Sequence, residues 1–164
     1  MGRRFACSYQ SGSMPNLSEQ ASGRQRVPRE PRPRIVLADD YPPLLVAWRR
    51  LLQPLYDVVG EASDGRALLE TAVALEPDVI VVDLTMPELN GLDGCRAIKR
   101  AISQTKIVLV TAAADPRVVQ AAFHAGASAF VRKESAGYDL LTAIQVVLAG
   151  ETYCSVFPGS RNAR

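Results

Sequence analysis

Four times in this chain a run of aliphatic residues gives out at a polar one. Asp39 and Asp40 follow Ile35-Val36-Leu37-Ala38, Asp83 follows Val79-Ile80-Val81-Val82, Thr111 follows Ile107-Val108-Leu109-Val110, and Lys133 comes just after Ala129-Phe130-Val131. Runs apolar at every position suit strands covered on both faces, as in a parallel sheet between helices. Strands of such a sheet share one direction, so all the polar stops lie at its carboxyl-terminal edge. That edge is where open α/β sheets place their chemistry.

The segments between the runs have helical periodicity. Tyr41-Pro42-Pro43 opens a helix, because first-turn N–H groups lack helical acceptors and proline forfeits nothing there. Leu44, Leu45, Trp48, Leu51 and Leu52 form its inner face until Pro54. Val58-Val59 marks a second strand, and a helix from Asp64 to about Glu76 turns Leu68, Leu69, Ala72 and Val73 inward before Pro77. Asn90, with acidic Asp93 three residues on, reads as the cap of a helix reaching about Ala101. Asp115-Pro116 caps another, closed by Gly126, and a last helix runs from Asp139 to Gly150 with Leu141, Ile144, Val147 and Leu148 inward. Five strands alternating with five helices predict an α/β, doubly wound (βα)5 fold with right-handed crossovers.

A chain of 164 residues, 48% hydrophobic, buries one core and is too short for two ordinary domains. Residues 1–33 carry six arginines against two glutamates, a net +4, which leaves the remainder at −2. The first segment is poor in aliphatics and is expected to be a disordered basic arm, with a globular domain over 34–155 and a disordered tail over 156–164. A mildly acidic globule lacks the basic face of a nucleic-acid-binding domain. Cys7, Cys95 and Cys154 are widely spaced and form no Cys-x-x-Cys pair, which suits a reducing cytosol. No apolar h-region follows Arg3 and Arg4, and no apolar stretch approaches 20 residues, so neither a secretion signal nor a membrane span is expected.

Taken singly, Asp40 reads as a helix cap and Asp83 as a turn opener. Three acids at the ends of two neighbouring strands point elsewhere, because carboxylates so placed repel unless a cation relieves them. Mg²⁺ suits such a set, taking hard oxygen ligands from one or two carboxylates and a phosphate. Asp83 then serves as nucleophile toward phosphorus, with Lys133 pairing first with the carboxylate and later with the phosphoryl oxygens, and Thr111 donating to one of those oxygens.

At these residues the chain resembles a response-regulator receiver domain of bacterial two-component signalling. The matching stretches are Ile35 to Asp40, Val79-Ile80-Val81-Val82-Asp83-Leu84-Thr85-Met86-Pro87-Glu88-Leu89-Asn90-Gly91, Val108 to Ala112, and Gly126 to Lys133. The resemblance covers about 34–155 and implies a flavodoxin-like five-stranded sheet of order 2-1-3-4-5. It implies that Asp83 is the phosphoacceptor and that Asp39, Asp40, Asp83 and the backbone carbonyl of Thr85 hold Mg²⁺. Thr111 and Lys133 match the switch hydroxyl and the phosphate-pairing lysine, and Phe130 matches the aromatic whose rotamer follows that hydroxyl. Thr85 and Ala113 match positions lining the route of attacking water. The implied partners are a sensor histidine kinase or phosphotransfer protein, then a downstream protein on the face of the fourth helix, fifth strand and fifth helix, with homodimerisation on phosphorylation as a further outcome. The implied setting is the cytoplasm, and the implied chemistry is Mg²⁺-dependent self-phosphorylation with slow autodephosphorylation.

Glu134 stands where many receivers carry a cis proline, so a trans bond is expected after Lys133. Lys133-Glu134 and Gly150-Glu151-Thr152-Tyr153 resemble the NarL/FixJ-type subfamily, whose receivers precede a helix-turn-helix domain, yet 164 residues leave no room for one. The expectation is a receiver acting through protein contacts without binding DNA itself; the alternative is the receiver half of a truncated DNA-binding regulator. A haloacid-dehalogenase-like hydrolase needs a second carboxylate two residues after the nucleophile, where Thr85 stands. A module that never takes phosphate is disfavoured because every reacting residue is present. Trp48 is expected in the core, His124 on the surface, and Arg96, Lys99 and Arg100 on a solvated face.

Overall fold

Successive residues of a strand point to opposite sides of a sheet, and here the two sides are covered by different helices. A computed structural model describes residues 31–88, 91–112 and 115–155. Residues 1–30 of the expected 1–33 arm, the expected tail at 156–164, the Asn90 cap and Ala113 lie outside the described residues. The chain order is β1 (Arg34–Ala38), α1 (Pro42–Leu52), β2 (Asp57–Ala62), α2 (Gly65–Leu75), β3 (Val79–Asp83), α3 (Gly91–Ala101), β4 (Lys106–Thr111), α4 (Pro116–His124), β5 (Ala129–Arg132), α5 (Ala136–Leu148) and β6 (Tyr153–Cys154). A single 3₁₀ turn, Lys133–Ser135, joins β5 to α5.

The sheet is parallel throughout, in the order β2-β1-β3-β4-β5-β6. Five of these strands have the expected order; β6 is a two-residue addition beyond β5. On one side Ile35, Leu37, Val79, Val81, Val108 and Val110 pack with Leu45, Trp48 and Leu52 of α1 and with Leu140, Ile144 and Val147 of α5. On the other, Val36, Ile80, Val82, Ile107, Leu109 and Phe130 pack with Leu68, Ile98 and Val119 of α2, α3 and α4. Each fully buried aliphatic contributes about 1.5–3 kcal/mol relative to its exposed state.

Local signals fix the starts of α1, α2 and α4. Asp64 accepts from Ala67 N at 2.7 Å and Asp115 from Arg117 N at 2.8 Å, while Pro42 and Pro116 open their helices. α5 starts at Ala136, three residues before the expected Asp139, because the 3₁₀ turn after Lys133 leads directly into it. β2 runs to Ala62, beyond Val58-Val59; as an edge strand only half covered, it tolerates Gly60 and Glu61. Val73 (51% exposed) and Leu148 (37%) are on the outside, contrary to expectation. Each lies at the margin of its helix's apolar stripe, and the sheet beneath is covered without it. Trp48 is buried and His124 exposed, as expected.

Candidate functional site

Strand register brings the polar stops together. Ala38 is level with Val82 and Asp83 with Val110, while Thr111 is level with Arg132. Asp39, just past β1, is therefore level with Asp83 at the end of β3, and Thr111 and Lys133 follow on the next two strands, each one residue further along. Asp39, Asp83 and Thr111 are buried, whereas Asp40 is exposed.

Lys133 reaches across the edge. Its Nζ donates to Asp83 Oδ2 at 2.9 Å. It also lies 2.9 Å from Asp39 Oδ2, a charge contact without the alignment of a hydrogen bond. Burial pushes the Lys133 ammonium down, but the bond to Asp83, the contact with Asp39 and their charges outweigh it and hold its pKa above the ordinary 10.5. Thr85 Oγ1 donates to the same Asp83 Oδ2 at 2.8 Å. Asp83 Oδ1 is buried and has no hydrogen-bond partner among the described residues. A buried carboxylate oxygen left so costs free energy, which marks the position as built for something else.

Asp40 does not cap α1: the residue at that position is Tyr41, with no side-chain cap bond. The turn is closed instead by Asp39, whose Oδ1 accepts from Tyr41 N at 2.8 Å. Oxygens of Asp39, Asp40 and Asp83 all lie within 4.8 Å of one another. Three carboxylates against one ammonium leave an anionic surplus, and one buried oxygen faces no donor. This hard-oxygen set fits a small divalent cation such as Mg²⁺.

The loop after β3 is held close. Gly91 N donates to Leu84 O at 3.2 Å, and a Cβ on Gly91 would lie 2.7 Å from that oxygen and 2.8 Å from Leu84 Cα. Gly65 N, at the start of α2, donates to Pro87 O at 3.3 Å and ties the loop to a second helix.

Phe130 is buried among the residues of α2, α3 and α4, level with Leu109. The described chain has no cis peptide bond, so Lys133–Glu134 is trans as expected. One surface expectation fails: Lys99 is half-buried and donates to Ser103 O and Thr105 O at 3.2 and 2.7 Å, so it belongs to a carbonyl cluster rather than to a solvated patch with Arg96 and Arg100. The sequence reading gave Thr85 a metal-binding carbonyl and a place on the route of attacking water but missed the hydroxyl bond to Asp83, although a short hydroxyl two residues after a strand-end aspartate is a common local pairing. It also missed β6, whose signal was Gly150 followed by the strand formers Thr152 and Tyr153.

Residues 35–145 match the response regulator receiver domain family. The chain is 35% identical over 120 residues to the transcriptional regulatory protein LiaR of Bacillus subtilis, covering 72% of this chain and 57% of LiaR. It is 35% identical over 123 residues to the nitrate/nitrite response regulator protein NarL of Escherichia coli, covering 74% of this chain and 57% of NarL. The chain thus spans little more than half the length of these curated relatives. Among solved structures, the isolated REC domain of RcsB from Salmonella enterica serovar Typhimurium, in the presence of phosphomimetic BeF3−, is similar with a TM-score of 0.71 and 28% identity. That match covers 79% of this chain and 95% of the other. No helix among the described residues is long and apolar enough to cross a membrane.

Proposed function

The chain belongs to the response regulator receiver domain family, and on that premise we propose that it accepts a phosphoryl group on Asp83 and thereby changes its protein contacts. The donor is the phosphohistidine of a sensor histidine kinase or phosphotransfer protein in the cytoplasm. The observation that carries this reading is Asp83 itself: a buried carboxylate with one oxygen unpartnered and the other held by Lys133 and Thr85.

An oxygen of Asp83 attacks phosphorus, the O–P bond forms as the P–N bond breaks, and the electron pair leaves with the histidine nitrogen. Lys133, already at the carboxylate, turns its ammonium to the incoming phosphoryl oxygens. Thr111, at the end of the adjacent strand, supplies a hydroxyl to one of them, and Phe130 takes up the space that movement opens. Asp39, Asp40, Asp83 and the Thr85 carbonyl would hold Mg²⁺, whose chemistry there is to offset the charge gathered on the phosphoryl oxygens. The added charge shifts the population between two packings of the α4, β5 and α5 face, and with it the preferred downstream partner or second copy of the chain.

Weighing the intact wild type and Asp83→Asn after incubation with acetyl phosphate and Mg²⁺ tests this. A gain of one phosphoryl mass in the wild type alone is expected; equal labelling of both, or none in either, removes the proposal. A second reading follows from the span of the match to LiaR and NarL: the domain serves as the receiver half of a DNA-binding regulator. The coding sequence downstream of residue 164 discriminates the two.

A further inference from the structure

Beyond α5 the chain repeats in miniature what its earlier units do. Gly150, at φ 88°, turns it back; Glu151 N donates to Val146 O at 3.1 Å. β6 then lies parallel to β5, with Tyr153 level with Ala129 and Cys154 with Phe130. Tyr153 N donates to Ser128 O at 3.3 Å and Ser155 N to Phe130 O at 3.0 Å. A bond of another kind extends the ladder: Arg132 N donates to the Ser155 hydroxyl at 2.9 Å. The edge of β5 is covered as far as its last residue.

The ladder ends one residue short of Lys133. Arg132 has the Ser155 bond at its N–H, and the residue after it is the lysine that holds Asp83 and Asp39. Phe130 and Val131 are fully buried, so β5 has little room to absorb a shift of Lys133 by deforming upstream. β6 is two half-buried residues at the edge of the sheet, and such a segment opens at lower cost than the whole domain. A displacement at Lys133 therefore finds its easiest relief at Ser155.

We propose that residues 150–155 are a strap whose closure on β5 is coupled to the seating of Lys133 between Asp39 and Asp83. Seated Lys133 keeps the strap shut; withdrawal of Lys133 loosens it. The coupling stands on the geometry, while its physiological trigger rests on the phosphoryl acceptance proposed above: new oxygens on Asp83 draw Lys133 away from Asp39. The strap thereby transmits the state of the site to the residues beyond Ser155, and by linkage a loosened strap weakens the seating of Lys133.

Hydrogen exchange of the full chain, read in peptides covering 150–155 and, as reference, β2 at the opposite edge, tests the coupling. Ser155→Ala is expected to speed exchange in 150–155 on the order of tenfold with β2 unchanged, and Lys133→Met to speed it there on the order of tenfold more than in β2. A strap as slow in Lys133→Met as in the wild type overturns the proposal. Should that variant lose its fold, seen as fast exchange in β2 too, Lys133→Arg replaces it with the same expectation and the same overturning result. In a third arm the wild type with acetyl phosphate and Mg²⁺ is weighed and exchanged together. A phosphorylated fraction with a loosened strap supports the coupling, and one with an unchanged strap overturns it. Absence of any mass gain counts against phosphoryl acceptance instead, and the lysine variants then decide the strap.

Discussion

The two ends of the sheet are built from the same strands and treat their polar groups in opposite ways. At the amino-terminal end Arg34 N donates to Asp78 Oδ2 and Arg34 Nη1 to Leu75 O, each at 2.7 Å, while Thr105 Oγ1 donates to Pro77 O at 2.8 Å. Lys99 fills two further carbonyls nearby. At the carboxyl-terminal end three carboxylates gather, two of them against Lys133, and Asp83 Oδ1 is buried without a hydrogen-bond partner among the described residues. Polar residues alone thus do not mark the site, since both ends have them. What distinguishes it is that hydrogen bonding is withheld there, and among the described residues the fold bears that cost at the end where a ligand can make it good.

Removing Lys133 should break this contrast most severely. Lys133→Ala leaves Asp39 and Asp83 buried without their counter-charge and is expected to cost about 3–5 kcal/mol in urea unfolding. Added Mg²⁺ should restore part of it; a loss that Mg²⁺ leaves untouched argues against a cation site. The sign with pH follows from the raised pKa of Lys133: its stabilising contribution is whole below pH 10.5 and disappears as pH rises through the higher native value.

Cys95, buried on α3 with Lys99 and Arg96 as its charged neighbours, provides a control for that alkaline loss. Burial pushes its thiol up to about 12 from 9.0, against a smaller downward pull from Lys99 and Arg96. The unfolded chain ionises first, so stability should fall between pH 9 and about 12, by up to ~4 kcal/mol at 1.36 kcal/mol per pKa unit. Unfolding of Cys95→Ala should show a flatter profile over that window, and the lysine variant should keep the cysteine's share of the slope.

Gly91→Ala sharpens the comparison on the site side. Its Cβ cannot fit against the Leu84 backbone without moving the loop that carries Thr85, so about 1–3 kcal/mol of stability should be lost together with most of the phosphoryl uptake. Thr105→Val does the reverse at the other end. It strands Pro77 O and should cost about 1–2 kcal/mol in thermal or urea unfolding while leaving uptake per folded molecule unchanged. Equal effects of the two substitutions on uptake would erase the distinction between the ends.

Much of this arrangement was legible in the residues. Wholly apolar runs such as Val79 to Val82 announce buried central strands, and Asp64, Asp115, Pro42 and Pro116 announce helix starts because capping is local chemistry. Asp39, Asp83, Thr111 and Lys133 were foreseeable as neighbours because parallel topology aligns strand ends. What escaped depends on tertiary neighbours. The inward face of Lys99 depends on carbonyls that only the folded Ser103–Thr105 turn presents. β6 is too short for periodicity to reveal, and its pairing depends on where α5 delivers the chain. The choice of Asp39 over Asp40 to close the turn into α1 rests on backbone angles that two adjacent aspartates do not disclose.

Which carboxylate takes phosphate decides whether Asp83 is the acceptor. An aspartyl phosphate is an acyl phosphate, which borohydride reduces to the alcohol, leaving homoserine at the modified position. Wild-type protein treated with acetyl phosphate and Mg²⁺, reduced and then mapped by peptide mass spectrometry, should carry homoserine at position 83 and at no other aspartate. Homoserine at position 39 or 40, or none in a sample whose intact mass had gained a phosphoryl group, would contradict phosphoryl acceptance by Asp83.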